Sequence, residues 1–192
     1  MRISGGAARG IPLRVPRGAN LRPATDRLRQ SVFSSLGARV AGARFLDFFA
    51  GTGSYGLEAL SRGAAGGVFI ERDRAALVAL RANLAAVCRS AGRREDDVRI
   101  LNADALLWTP PASGEGDLIF CDPPFADIAH QAEALFRRFA GFARHDPPGL
   151  LVFEMPGELE PPCPGWEFLK RIGRGRGQPT GCIYRALGAA EG

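Results

Sequence analysis

The side chains best suited to chemistry stand in one tetrapeptide, Asp122-Pro123-Pro124-Phe125, directly after the apolar run DLIFC at 117–121. An exocyclic amine on a nucleobase is a poor nucleophile, because its lone pair is delocalised into the ring. Two acceptors that take its two N–H hydrogens draw the pair out of conjugation and aim it at an electrophile. The Asp122 side chain and the Pro123 carbonyl supply two such acceptors at adjacent positions. Consecutive prolines fix φ and leave no competing N–H, so the carbonyl is held stiffly. Phe125 offers a flat face on which an extruded base can stack. Whether Asp122 also removes a proton stays open at this level, and the bland alternative is a Pro-Pro turn leading into a helix capped by Asp127.

A second constellation lies upstream in Arg44 to Gly56, RFLDFFAGTGSYG. The pattern is a buried strand ending near Phe49, a tight turn over Ala50 to Gly53, and a helix opening at Ser54. Glycine permits positive φ and close approach of a ligand to backbone, and a helix start presents unpaired N–H groups. Gly51-x-Gly53-x-x-Gly56 also satisfies a dinucleotide fingerprint, with Glu71 at the end of the next apolar run in position to bind ribose hydroxyls. Asp47 discriminates between ligands. A carboxylate inside the first strand is unwelcome to a pyrophosphate and suits a cation that carries an ammonium and a sulfonium, which is S-adenosylmethionine. A strand, turn and helix whose glycines serve geometry alone is the competing reading.

The elements that position these residues alternate. After Arg44 the chain reads as a strand, a helix over 54–62 stopped by Gly63, a strand over 67–71, a helix from Asp73 to about Ser90, and strands at 98–101 and 117–121. A helix capped by Asp127 and an apolar strand over 149–155 follow. Such alternation gives an α/β fold with a mostly parallel sheet covered on both faces, with ligands at the carboxyl ends of its strands. Asp47, Glu71, Asp104 and Asp122 all stand at or near those ends. Residues 166–172 and 180–186 read as a closing antiparallel pair joined by a Gly- and Arg-rich turn. Residues 1–15 read as two short strands, followed by a helix with Thr25 as N-cap that buries Leu28, Val32, Phe33 and Leu36 and leaves Arg27 and Arg29 outside. We therefore divide the chain into a basic N-terminal extension, 1–40, and a catalytic domain, 41–192.

Charge is distributed unevenly along the 192 residues. Residues 1–30 carry seven arginines against Asp26, the middle carries 13 basic against 18 acidic groups, and residues 168–192 carry five basic groups against Glu191, which together give the net charge of +5. Basic ends around an acidic centre point to a polyanion, nucleic acid first, gripped by Arg2, Arg9, Arg14, Arg22, Arg27 and Arg29 on one side and by Arg174 and Arg176 on the other. A solvated basic surface is the alternative, since 24 of the 25 basic residues are arginine. The four cysteines, Cys88, Cys121, Cys163 and Cys182, form no CxxC pair and have no histidine at ligand spacing, so reduced thiols and no metal are expected. Cys121 completes an apolar strand and is expected to be core. No run approaches the length of a membrane span, and a cytoplasmic protein is expected.

The longer matches RISGG with RG near the start, LRPATDRLRQSVFSSL, DFFAGTGSYGLEALSRGA, FIERD and FCDPPF resemble the bacterial family that methylates N2 of a guanine in 16S ribosomal RNA. The resemblance covers most of the chain and is weakest from Trp166 onward. It implies a Rossmann-like class I S-adenosylmethionine-dependent methyltransferase with a seven-stranded sheet. It sets Asp47, Gly51 and Gly53 near the methionine part of the cofactor, Glu71 on the ribose, Asp104 near the adenine, and Asp122 to Phe125 at the target amine. It favours a monomer acting on an assembled or partly assembled 30S subunit. Other readings of the same residues are an amino-methyltransferase for adenine N6 in DNA or for protein glutamine, a nicotinamide-dependent reductase, and a catalytically silent RNA-binding module.

Overall fold

The computed structural model describes residues 1–16, 26–111, 116–124 and 128–188. Its centre is a seven-stranded sheet in the order β3-β2-β1-β4-β5-β7-β6. The strands are β1 (Arg44–Phe48), β2 (Gly66–Glu71), β3 (Val98–Asn102), β4 (Leu118–Cys121), β5 (Leu150–Pro156), β6 (Trp166–Ile172) and β7 (Pro179–Ala186). β1 to β5 pair in parallel, and β7 enters antiparallel between β5 and β6. The expected parallel sheet and the closing antiparallel pair are both present. Among the described residues four α-helices accompany them: α1 (Asp26–Leu36), α2 (Ser54–Ser61), α3 (Arg74–Ala91) and α4 (Ile128–Ala140).

Burial on both faces explains why the central strands read as continuous apolar runs. Alternate residues feed two cores. Phe45, Phe69, Phe120 and Val152 point to the side of α1, α2 and α3, whereas Leu46, Phe48, Ile119, Cys121 and Phe153 point to the side of α4. Strand parity therefore decides which functional side chains share a face. Asp47 has the parity of Phe45, Glu71 that of Phe69, Asp122 that of Phe120, and Glu154 that of Val152.

The N-terminal segment is tied to this first face. Ile3, Ala8, Leu13, Leu28, Val32 and Phe33 lie in one apolar cluster with Phe45, Ala59 and Phe120. The two strands expected over residues 1–15 are reduced to a single antiparallel bridge, Arg2 with Pro12, flanked by the bonds Ile3 N to Ile11 O at 2.9 Å and Leu13 N to Met1 O at 3.1 Å. Instead of extending a ladder, the loop turns its backbone toward α2: Ala7 N donates to Ser61 O at 2.7 Å and Ala8 N to the Ser61 hydroxyl at 2.9 Å. The expected caps Thr25 and Asp127 lie outside the described residues. Among the described residues no helix is long and apolar enough to cross a membrane.

Candidate active site

The turn after β1 is built as its glycines require. Phe49, Gly51 and Gly53 all have positive φ, at 57°, 54° and 84°, and Gly53 N closes the turn on Ala50 O at 2.7 Å. A left-handed phenylalanine is a strained conformation of the kind that concentrates at functional sites. The third glycine of the fingerprint has a packing role: a Cβ at Gly56 would stand 2.3 Å from Phe69 and 2.6 Å from Phe45, so its absence lets α2 lie directly on the sheet.

Asp47 sits beneath this turn, 2% exposed. Its Oδ2 accepts the Gly56 N–H at 2.9 Å, which satisfies one of the orphan donors of the first turn of α2. Burial, added to the negative charge of Glu71, pushes its carboxyl up to about 7. Among the described residues none of the groups that shift it is basic. Glu71 lies at the end of β2, where its Oε2 accepts Gly51 N–H at 2.7 Å and its Oε1 accepts the N–H groups of Arg72 and Asp73 at 2.8 and 2.7 Å. It thus clamps the glycine turn to the start of α3, whose N-cap is Asp73. Two carboxylates on one sheet face beneath a positive-φ backbone turn fit a cationic, hydroxyl-bearing ligand such as S-adenosylmethionine, and the cation would supply the charge that Asp47 lacks. Asp104 follows β3, accepting Leu106 N–H at 2.8 Å and pairing with Arg72 at 2.9 Å on the rim.

Asp122 and Pro123 leave the carboxyl end of β4, the strand hydrogen-bonded to β1, which brings them beside the Asp47 turn. Pro123 is buried and Asp122 half-buried. Burial, then the charges of Glu154 and Asp47, hold the Asp122 carboxyl well above the usual carboxylate range. Phe125 lies outside the described residues. Cys121 is 1% exposed in the apolar layer facing α4, and burial pushes its thiol up, away from thiolate chemistry.

Two residues of this site escaped the sequence reading. Glu154 on β5 is 1% exposed and Tyr55 on α2 is 3% exposed. The Tyr55 hydroxyl donates to Glu154 Oε2 at 2.9 Å. The available signal was an acid inside the apolar run GLLVFEM, the same anomaly that singled out Asp47.

One basic residue must be reassigned. Arg29, expected on the outer face of α1, is fully buried. It pairs with Asp26 at 2.9 Å and with the buried Glu58 of α2 at 3.3 Å, and donates to the Arg2 carbonyl. Glu58 also takes Arg62 at 2.8 Å and the Ser4 hydroxyl at 2.7 Å. Arg29 shares a face with Val32, Phe33 and Leu36 at helical spacing, and the carboxylate of Glu58 makes its burial tolerable. Arg2, Arg9, Arg14, Arg27, Arg174 and Arg176 are exposed, and Arg22 lies outside the described residues. Among the described residues no cluster of three or more His, Cys, Asp or Glu could hold a metal ion.

The family described as conserved hypothetical protein 95 matches residues 1–181. The chain belongs to this family. Ribosomal RNA small subunit methyltransferase D of Escherichia coli K12 is 42% identical over 125 residues, 65% of this chain and 60% of that protein, so the match spans less than two thirds of the relative's length. YlbH of Bacillus subtilis is 33% identical over 165 residues, 84% of this chain and 86% of YlbH. Among solved structures, yhhF of Escherichia coli superposes with a TM-score of 0.79 at 33% identity, covering 98% of both chains. A hypothetical protein of Thermus thermophilus gives 0.72 at 33% identity, covering 95% of this chain and 98% of that one. The family's fold is that of the class I S-adenosylmethionine-dependent methyltransferases, the architecture the sequence resemblance implied.

Proposed function

We propose that this protein transfers the methyl group of S-adenosylmethionine to N2 of a guanine in 16S ribosomal RNA, presented by an assembled or partly assembled 30S subunit. The observation that carries the reading is the emergence of Asp122 and Pro123 from β4 beside the β1 glycine turn, on the sheet face that holds Asp47 and Glu71. S-adenosylmethionine supplies an electrophilic methyl on a sulfonium. Glu71 and the turn hold the ribose end of that cofactor, Asp47 balances its positive charge, and Asp104 borders the adenine. Asp122 and the Pro123 carbonyl accept the two N–H hydrogens of the target amine, Pro124 stiffens that acceptor, and Phe125 stacks on the base.

Residues 1–40 act as an RNA-gripping extension of a catalytic domain over 41–192. Arg2, Arg9, Arg14, Arg22 and Arg27 engage phosphates, assisted by Arg174 and Arg176 from the β6–β7 turn. Arg29 serves the attachment of this extension to α2. The protein acts as a monomer in the cytoplasm. The test is transfer of tritiated methyl from S-adenosylmethionine onto 30S particles isolated from a strain lacking its own enzyme for this site. Incorporation into 16S RNA is expected, and a protein that binds the cofactor yet labels neither 30S particles nor 16S RNA would overturn the assignment.

A further inference from the structure

Behind Asp122 lies a second carboxylate for which the acceptor pair on the target amine has no use. Cys121 and Phe153 are register partners on parallel β4 and β5, so Asp122 and Glu154 each stand one residue further along adjacent strands. Neighbouring strands run about 4.8 Å apart and equal parity sends both side chains to the same face. Glu154 is 1% exposed, and the Tyr55 hydroxyl donates a hydrogen bond to it. Tyr55 in turn is packed against Phe33 of α1 and Phe120 of β4, at ring centroid distances of 6.2 and 5.3 Å, which fixes where its hydroxyl points.

The structure assigns Glu154 as a positioning residue for the amine acceptor: fixed by the Tyr55 hydroxyl on the strand beside Asp122, it prepares Asp122 to take the proton released when the amine is methylated. This rests on the proposed methyl transfer. In that step the amine nitrogen forms a bond to the methyl carbon, the S–C bond breaks with its electron pair returning to sulfur, and one N–H proton passes to an Asp122 oxygen. The sulfonium charge is thereby cancelled by a carboxylate that ends neutral. An ordinary carboxylate is basic enough to take a proton from an alkylated, positively charged ring amine, and a like charge on the adjacent strand raises the proton affinity of Asp122 further, so that the transfer begins earlier along the methylation step.

The charged surroundings agree. Asp47 from β1 also raises Asp122, with Glu71 of β2 beyond it. From the helices, α1 contributes the buried cation Arg29, which favours the ionised form of Glu154, and α2 contributes Tyr55 and the Glu58 carboxylate that anchors Arg29. Burial lifts Glu154 itself to about 7, against the Tyr55 hydrogen bond and Arg29, which both lower it. In the proposed reaction both carboxyl groups are ionised when the amine arrives.

Carboxyl carbon NMR titration of the free protein, run for wild type, Glu154→Gln and Tyr55→Phe, tests the coupling without any substrate. Glu154→Gln is expected to lower the Asp122 midpoint by about one pH unit or more, because the neighbouring charge is gone. Tyr55→Phe is expected to raise the Glu154 midpoint. In single-turnover methylation of 30S particles, Glu154→Gln should move the acidic limb to lower pH and reduce the plateau by about threefold, and by less than about tenfold per pH unit of Asp122 shift, with cofactor affinity unchanged. Glu154→Asp should restore the limb toward wild type, and Tyr55→Phe should move it to higher pH. An Asp122 midpoint that stays in place in Glu154→Gln overturns the coupling. If the midpoint moves but wild-type protein does not methylate 30S particles, the proposed reaction is overturned and the catalytic half of this inference with it.

Discussion

Asp47→Asn probes whether the acid beneath the glycine turn is a buried charge that lacks a partner until a cation arrives. The carboxyl is 2% exposed and titrates near 7 in the folded protein, against an ordinary value of 3.8. Between roughly pH 4 and 7 the folded chain therefore holds a proton that the unfolded chain has released, and stability falls as pH rises. The contribution is complete below the unfolded value and is lost as pH climbs through about 7. At about 1.4 kcal/mol per pH unit the loss is on the order of 4 kcal/mol in all. Asparagine keeps an oxygen for the Gly56 N–H but cannot ionise. The variant should match wild type near pH 4 and exceed its stability by up to about 4 kcal/mol above pH 7, while binding S-adenosylmethionine more weakly. Urea unfolding of both proteins in steps from pH 4 to 8, without ligand, measures the difference directly. A stability difference that is flat with pH, or that narrows as pH rises, would refute the reasoning.

Glu71→Ala should weaken S-adenosylmethionine binding by about 1–3 kcal/mol in calorimetry, since it removes a ligand acceptor and frees the Gly51 N–H from its clamp. Arg29→Ala should lower stability by about 3 kcal/mol in denaturant unfolding, because it breaks a pair with the fully buried Glu58, and should leave the salt dependence of RNA binding unchanged in slope. By contrast, changing Arg9 and Arg14 to Ala should reduce the slope of log K against log salt by about 0.7 to 0.9 per lost phosphate contact, with cofactor affinity intact. Cys121→Ser should cost stability yet retain methyl transfer, and complete inactivity of a folded Cys121→Ser protein would revive a covalent mechanism.

The sheet was legible because its strands are buried on both faces and its helices carry apolar stripes, so periodicity and glycine punctuation located nearly every element after Arg44. Asp47 and Glu71 stood out for the same reason: an acid is conspicuous where the fold demands apolar residues. Glu154 offered that signal too, but its meaning depends on register. Only the β4–β5 pairing brings it beside Asp122, and only the packing of α2 brings Tyr55 to it. Arg29 misled for the opposite reason. A charged residue on an amphipathic helix is ordinarily solvated, and its burial is decided by a carboxylate 29 residues away. The N-terminal ladder is shorter than its sequence suggested because the tip of the segment donates to Ser61 through Ala7 and Ala8, leaving only the stretch around Arg2 and Pro12 to pair with itself. Asp47 has a structural role unseen in the sequence, as acceptor for the first turn of α2.

The central claim is that the Asp122 site methylates a guanine amine, and the most direct measurement compares wild type with Asp122→Ala in a single turnover on 30S particles, followed by mapping of the labelled nucleotide. The account predicts label on N2 of one guanine of 16S RNA with wild type, and loss of transfer by Asp122→Ala although S-adenosylmethionine still binds. Wild-type rates from Asp122→Ala, or label on an atom other than a guanine amine, would contradict it.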